Sequence, residues 1–169
     1  MAYDWTQFTK SITVKTTKEK LYHAFASRQG MEQWFLRQCE YKTGQGNFLE
    51  ANECASSGIQ YRWLWWGWSD DTVESGQVLQ ANGIDVFEFT FNANGKNNMN
   101  IKISLHAEGN EWRVSLHQYN IPIDEESKTM YHVGCGEGWT FYLTNLKSVM
   151  EGGIDLRNKD EKVKKVINK

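Results

Sequence analysis

The chain has 169 residues, 40% of them hydrophobic, and a formal net charge of −2. That suits one domain with a sizeable core and excludes general nucleic-acid binding driven by positive charge. Three cysteines are too few for a disulfide framework and point to a reducing cytoplasm, and no run approaches the roughly 18 apolar residues of a membrane span.

Met1 to Gln7 lacks the basic and apolar regions of a secretory signal. Phe8 to Lys15 alternates as a first strand. Thr16-Thr17-Lys18-Glu19 reads as a capping box, with Thr16 as N-cap and Glu19 three residues on. A short helix follows on Leu21, Ala24 and Phe25, and Gln29-Gly30 is expected to close it. Met31 to Leu36 reads as a second short helix, with Trp34 and Phe35 as packing residues.

From Arg37 the texture changes to strands and turns. Residues 37–54 hold one or two strands without a readable register. Ile59 to Trp66 is rich in strand formers, and Ile59, Tyr61, Trp63 and Trp65 share one face. Trp66 and Trp68 fall on the other, where they could meet a protein partner. Trp68 to Asp71 turns the chain into a strand over Val73 to Gln80. Asn82-Gly83 then signals a tight hairpin into Asp85 to Phe91, with Phe87, Phe89 and Phe91 on one side. Arg62 and Glu88 read as a surface pair. Asn92 to Asn98 is a polar loop. Met99 to His106 alternates Ile101, Ile103 and Leu105 against polar residues, and Glu108-Gly109-Asn110 turns into Glu111 to Asn120 with Trp112, Val114 and Leu116 aligned. Pro122 is expected to end that strand because it cannot donate to the ladder.

Trp139, Tyr142, Leu143, Leu146, Val149 and Met150 recur at helical spacing, which predicts a long amphipathic helix. Asp124 is its candidate N-cap, and Glu125 and Glu126 would favour the positive end of its dipole. Gly152-Gly153 would stop it, with Ile154 folding back on the last turn. Gly134, Gly136 and Gly138 each cost about 1 kcal/mol relative to alanine within a helix. They weigh toward a start near Gly138, against the longer reading from Asp124. Residues 157–169 carry six Lys/Arg and two Asp/Glu, +4 in all, and are expected as a solvated basic tail after a domain spanning 1–156.

The order of elements predicts an α+β fold, a curved antiparallel meander gripping one long helix. A helix from Asp124 to Glu151 would be about 42 Å long, against about 27 Å for a strand of eight residues. A sheet curled around such a helix leaves room for a cavity lined by inward aromatics. Three stretches carry a family resemblance. Ile12-Thr-Val-Lys-Thr-Thr-Lys-Glu-Lys-Leu-Tyr-His-Ala-Phe25 followed by Met31-Glu-Gln-Trp-Phe35 forms the first. Glu74-Ser-Gly-Gln-Val78 is the second. Gly138-Trp139 with Leu143, Leu146, Lys147 and Glu151-Gly-Gly-Ile-Asp-Leu-Arg157 is the third. Together they resemble the START-like (SRPBCC, Bet v-type) helix-grip superfamily. Within it they are most similar to the single-domain bacterial relatives of the activator of the ninety-kilodalton heat-shock chaperone's ATPase. Trp34-Phe35 stands where that group has a tryptophan doublet. The resemblance implies a cavity for an apolar, lipid-like or aromatic molecule.

The expected cavity residues are Tyr61, Trp63, Trp65, Phe87, Phe89, Leu116, His132, Cys135, Trp139, Tyr142, Leu143 and Leu146. Each large aromatic among them could equally fill an ordinary core. His132 and Cys135, one turn apart, could make a polar ligand contact, bind metal or act as base and nucleophile. A metal site needs three or four ligands and the sequence offers no second cluster. A thiol nucleophile needs a third, orienting group. No cofactor motif is present. A binding module is therefore the leading expectation. A chaperone-interacting surface and a cyclase- or hydrolase-type enzyme are the alternatives.

Overall fold

The structure, a computed structural model, describes residues 3–91, 98–163 and 166–168. The polar loop expected over Asn92 to Asn98 lies almost wholly outside them. Among the described residues, seven strands make one curved antiparallel sheet. They are β1 (Phe8–Val14), β2 (Gln38–Lys42), β3 (Gln60–Leu64), β4 (Glu74–Ala81), β5 (Val86–Phe91), β6 (Met99–Glu108) and β7 (Glu111–Tyr119). Their order is β1-β7-β6-β5-β4-β3-β2. The register of β4 on β5 slips between Val78 and Gln80, a bulge that adds local twist. Phe87, Phe89, Phe91, Ile101, Ile103, Leu105, Val114 and Leu116 all point into the core, as their alternation requires.

Helix α1 (Lys18–Ala26) begins one residue later than the capping-box reading, because Thr17 is the N-cap and accepts from the Lys20 amide. Gly30 does not close it. Ser27 ends α1 and at once caps α2 (Arg28–Trp34), accepting from the Gly30 amide. Gly30 lies where the two helices cross. A Cβ there would sit 2.2 Å from the His23 carbonyl oxygen and 2.6 Å from the Ala24 Cα. Backbone, not a pliable side chain, occupies that space. Gly30→Ala is expected to cost about 1–3 kcal/mol as overpacking, read from the midpoint of urea unfolding. A loss too small to detect would mean that the helices can part freely.

The turn after β4 is longer than the two-residue hairpin expected at Asn82-Gly83. Asn82 Oδ1 accepts from the amides of Ile84, Asp85 and Val86, so the side chain organises a wider loop. Strand β7 stops before Pro122, at Asn120, whose φ is 60°. Arg62 pairs with Glu40 and not with Glu88, which takes Lys102 and Tyr119.

The C-terminal helix runs from α3 (Glu125–Ser127) through π-helical turns (Lys128–Gly134) into α4 (Cys135–Met150). Asp124 caps it, accepting from the Ser127 amide at 3.0 Å. The expectation of a start near Gly138 is thus corrected. The glycines sit inside the helix, at and after a π segment that takes in extra residues per turn. The far end is a Schellman stop: Gly152 has φ 83°, and Gly153 N–H donates to Ser148 C=O at 2.7 Å. Ile154 returns to the last turn through its backbone, its carbonyl accepting from Ser148 Oγ at 2.7 Å, but its side chain is exposed and makes no apolar seal.

Arg157 corrects the reading of a tail solvated from its first residue. It is buried. Its guanidinium donates to the carbonyls of Glu32 (3.0 Å), Gln33 (2.8 Å) and Leu36 (2.9 Å), and to both oxygens of Asp155. Asn145, fully buried on α4, donates to Trp34 C=O at 2.6 Å and accepts from the Leu156 amide at 2.7 Å. The carbonyls that end α2 would otherwise be orphans. The C-terminal segment and α4 supply their partners from more than a hundred residues away in sequence.

Candidate binding pocket

Phe35, the residue that ends α2, is the hub from which the pocket is built. Its ring stacks on Trp34 (5.2 Å) and lies tilted against Trp139 (5.0 Å). Tyr142 meets it edge-on at 4.8 Å and Trp65 at 6.2 Å. Trp34 is locked by its indole N–H donating to Ala24 C=O, and Trp139 by donation to Gln118 Oε1 at 3.0 Å. Gln118 is fully buried, and its amide reaches on to Tyr131 C=O. These bonds fix the rings against rotation, so one wall is rigid.

In front of that wall is a pocket of about 310 Å³. Trp65, Trp68 and Thr72 come from the β3–β4 connection, Phe91 from the end of β5, and Cys135, Gly138, Trp139, Phe141 and Tyr142 from α4. Ile167 from the C-terminal segment stands at the rim. Among the described residues no charged side chain lines it. Burial pushes the Cys135 thiol up to about 11 and the Tyr142 phenol up to about 12, so both stay protonated at neutral pH. A thiol held protonated is a poor nucleophile.

Of the twelve residues expected from the sequence, Trp65, Cys135, Trp139 and Tyr142 line this pocket. Tyr61, Trp63, Phe87, Phe89, Leu116, Leu143 and Leu146 do not. They are packed solid in the core behind it, with Tyr61 stacked on Trp63 at 3.9 Å and Trp63 against Phe89 at 5.0 Å. The Tyr61 hydroxyl is occupied by the buried Glu74 and by Thr90 C=O. His132 faces elsewhere. Its Nδ1 donates to Trp5 C=O at 3.2 Å, Tyr3 hydroxyl meets its Nε2 at 2.9 Å, and the rings of Tyr3, Trp5 and Phe8 surround it. It clamps the N-terminal segment onto the π turns and borders a groove that takes in Lys10 and Glu137 and shares Gly138, Phe141 and Ile167 with the pocket. The reason is helical phase. Counting back from Trp139 at ordinary spacing puts His132 and Cys135 on one face, but the π turns break that count.

Trp68 was expected on the outer face and instead rims the pocket, 60% exposed. Phe91 was readable from its alternation with Phe87 and Phe89. Thr72 and Ile167 carried no signal, because loop and terminal geometry brings them in, and Phe141 lies on α4 beside the apolar face that the spacing marked. Among the described residues no group of three or more His, Cys, Asp or Glu could hold a metal ion. No helix among them is long and apolar enough to cross a membrane.

Comparison with known proteins agrees with this architecture. The family model described as Activator of Hsp90 ATPase homolog 1-like protein matches residues 15–151. The solution structure of the Aha1 dimer from Colwellia psychrerythraea superposes with a TM-score of 0.65 at 16% identity, covering 87% of this chain and 97% of that one. A protein from Mesorhizobium loti superposes with a TM-score of 0.67 at 13% identity, covering 86% and 96%. CalU16 from Micromonospora echinospora superposes with a TM-score of 0.62 at 14% identity, covering 86% and 76%. At these identities the likeness is one of fold. No curated protein matches the sequence.

Proposed function

The chain belongs to the Activator of Hsp90 ATPase homolog 1-like family, and from that premise we propose that it is a binding module for a small hydrophobic or aromatic, lipid-like molecule. Its fold is the START-like helix-grip fold, which hosts many functions, so the argument must come from the site. One observation carries the reading: an aromatic-walled pocket of about 310 Å³ between the sheet and the C-terminal helix, without a charged lining residue among the described residues. That size and chemistry suit a small apolar ligand. The rigid wall of Phe35 and Trp139 lowers the ordering cost of binding. The three free thiols, Cys39, Cys54 and Cys135, fit a reducing cytoplasm.

A second reading is a protein-binding role, favoured by the exposed Trp68 and by the family's description. The cyclase or hydrolase alternative is disfavoured. Such chemistry wants convergent ionisable groups, and among the described residues the pocket offers a protonated thiol and phenol.

Native mass spectrometry of protein purified gently from its own cells tests the proposal. The expected result is a discrete added mass of a few hundred daltons that is lost on denaturation. A bare mass, unchanged after incubation with apolar extracts of those cells, would move the weight to the protein-binding reading. The same spectrum reports oligomeric state, of interest because the similar Colwellia protein is described as a dimer.

A further inference from the structure

We propose that the middle of the β1 edge, from Gln7 to Ser11, receives an extended segment of a partner protein, which adds to the sheet as a further strand in the groove beside α4. This site does not depend on what the pocket holds.

Strand β1 ends the sheet, with β7 as its neighbour. Successive residues of an antiparallel strand turn their N–H and C=O groups to opposite sides. Thr6 C=O accepts from the Ile121 amide at 2.9 Å, so the even-numbered residues face the β7 side and the odd-numbered ones face outward. At both ends of this edge the C-terminal helix caps the outward groups. His132 Nδ1 donates to Trp5 C=O at 3.2 Å. Lys147 Nζ donates to Thr13 C=O at 2.8 Å, and the Lys15 amide donates to Glu151 at 2.8 Å. Between these caps Gln7, Thr9 and Ser11 are exposed, and each turns an N–H and a C=O toward the free edge. An uncapped edge of this kind is a template for another strand.

The helix stands back over the same window. Its residues there include Gly134, Gly136, Gly138, Thr140 and Thr144, and with β1 they border a groove of about 1160 Å³. A Cβ at Gly138 would meet nothing within 4 Å, and one at Gly136 would reach the Lys10 side chain at 3.6 Å. From Trp5 to Thr13 the edge spans about 26 Å, room for about seven extended residues. Phe8, Lys10 and Ile12 turn toward the helix, whereas Thr9 and Ser11 lie on the outer face beside His117 and Ser115. An added strand therefore sets alternate side chains next to Phe8, Lys10 and Ile12. Lys10 is half-buried and favours a carboxylate beside it, while Phe8 and Ile12 favour apolar groups. Asp4 and Glu137 also border the groove, but both are exposed, and the Asp4 carboxylate is already held by Thr6 and Gln7. The partner segment thus carries apolar, acidic and apolar residues in alternation on one face.

A fluorescein-labelled peptide, Thr-Val-Thr-Glu-Thr-Val-Thr-amide, tests this on the intact protein, and its pattern is the same in either strand direction. Its anisotropy should rise to saturation, and the amide NMR signals of Gln7, Thr9 and Ser11 should shift. Two further peptides carry N-methyl groups, one on its threonines and the other on its valines and glutamate. One set of N–H groups points at β1 and the other at solvent, so one methylated peptide should bind at least about tenfold more weakly than the other. Thr9→Pro removes an outward N–H and spares the ladder to β7, so it should keep the fold and lower affinity about tenfold. Lys10→Glu should weaken binding, and a peptide with lysine in place of its glutamate should restore it. Equal binding of the two methylated peptides, shifts confined to other residues, or no binding overturns the proposal. A dimer that dissociates in Thr9→Pro while no peptide binds overturns it too, and assigns the edge to a second copy. If Thr9→Pro fails to fold, the methylated peptides still decide, because they leave the protein unchanged.

Discussion

Replacing Arg157 by alanine is expected to destabilise the protein by about 3–5 kcal/mol, the cost of removing one partner from a buried charged network. The substitution orphans three carbonyls at once, those of Glu32, Gln33 and Leu36. It also leaves Asp155 without its bidentate partner. Arg157→Lys should recover little, because an ammonium lacks the planar fork that reaches carbonyls and carboxylate together. Urea unfolding followed by tryptophan fluorescence measures both. A loss below about 1 kcal/mol for Arg157→Ala, within the range of an exposed pair, would show that the C-terminal segment is dispensable to α2.

The same network predicts acid sensitivity with a definite sign. Burial alone pushes the Asp155 carboxyl up, but hydrogen bonds from Arg157 and Lys159 outweigh it and hold the group well below the usual carboxylate range. A depressed pKa in the folded state means that the unfolded chain takes up the proton first. Asp155 therefore contributes fully above about pH 4 and loses its contribution as the pH falls further. In Arg157→Ala the slope of stability against pH below about pH 4 should be shallower than in the parent. An unchanged slope would mean that other carboxylates, such as Asp4 and Glu151, account for all of it.

Trp139→Ala should cost a similar amount, about 3–5 kcal/mol, and should also change binding. The indole is the back wall of the pocket and donates to Gln118 Oε1. Truncation merges the pocket with the space around Gln118, turning a dry wall into a polar opening. Loss of fluorescent-probe affinity together with stability is the expected result. Trp139→Phe separates the two effects: it keeps an apolar wall and removes only the bond to Gln118, so most affinity should survive. If Trp139→Ala loses stability but keeps its affinity for apolar probes, Trp139 is simply core and the binding site lies elsewhere.

How much of this was legible in the sequence differs from element to element. The strands of the meander were readable because their signal is local. Ile101, Ile103 and Leu105 alternate with polar residues in one continuous run, and every one is buried. Asp124 and Gly152 were readable for the same reason, since a cap or a stop acts on its own backbone. The C-terminal helix was half readable. Trp139, Leu143 and Leu146 lie on a regular stretch and are buried together. Upstream, the π turns shift the phase, so His132, placed in a cavity by counting, instead clamps the N-terminus.

The sequence by itself determined that this chain is a curved antiparallel meander packed on a long C-terminal helix, with more aromatic side chains than a minimal core needs. Periodicity, caps and turn residues act within a few positions, and those are the distances a sequence displays. Only the tertiary structure decided which aromatics fill space and which border it. Tyr61 and Trp65 are in phase with each other in the sequence, yet Tyr61 lies within β3, sealed under Glu74 and Thr90, and Trp65 lies just past the end of that strand and opens on the pocket. Burial there depends on what the β3–β4 connection and the C-terminal segment leave uncovered. The roles of Arg157 and Asn145 were hidden for the same reason. They satisfy carbonyls at the end of a helix more than a hundred residues earlier, and only the folded chain brings those groups together.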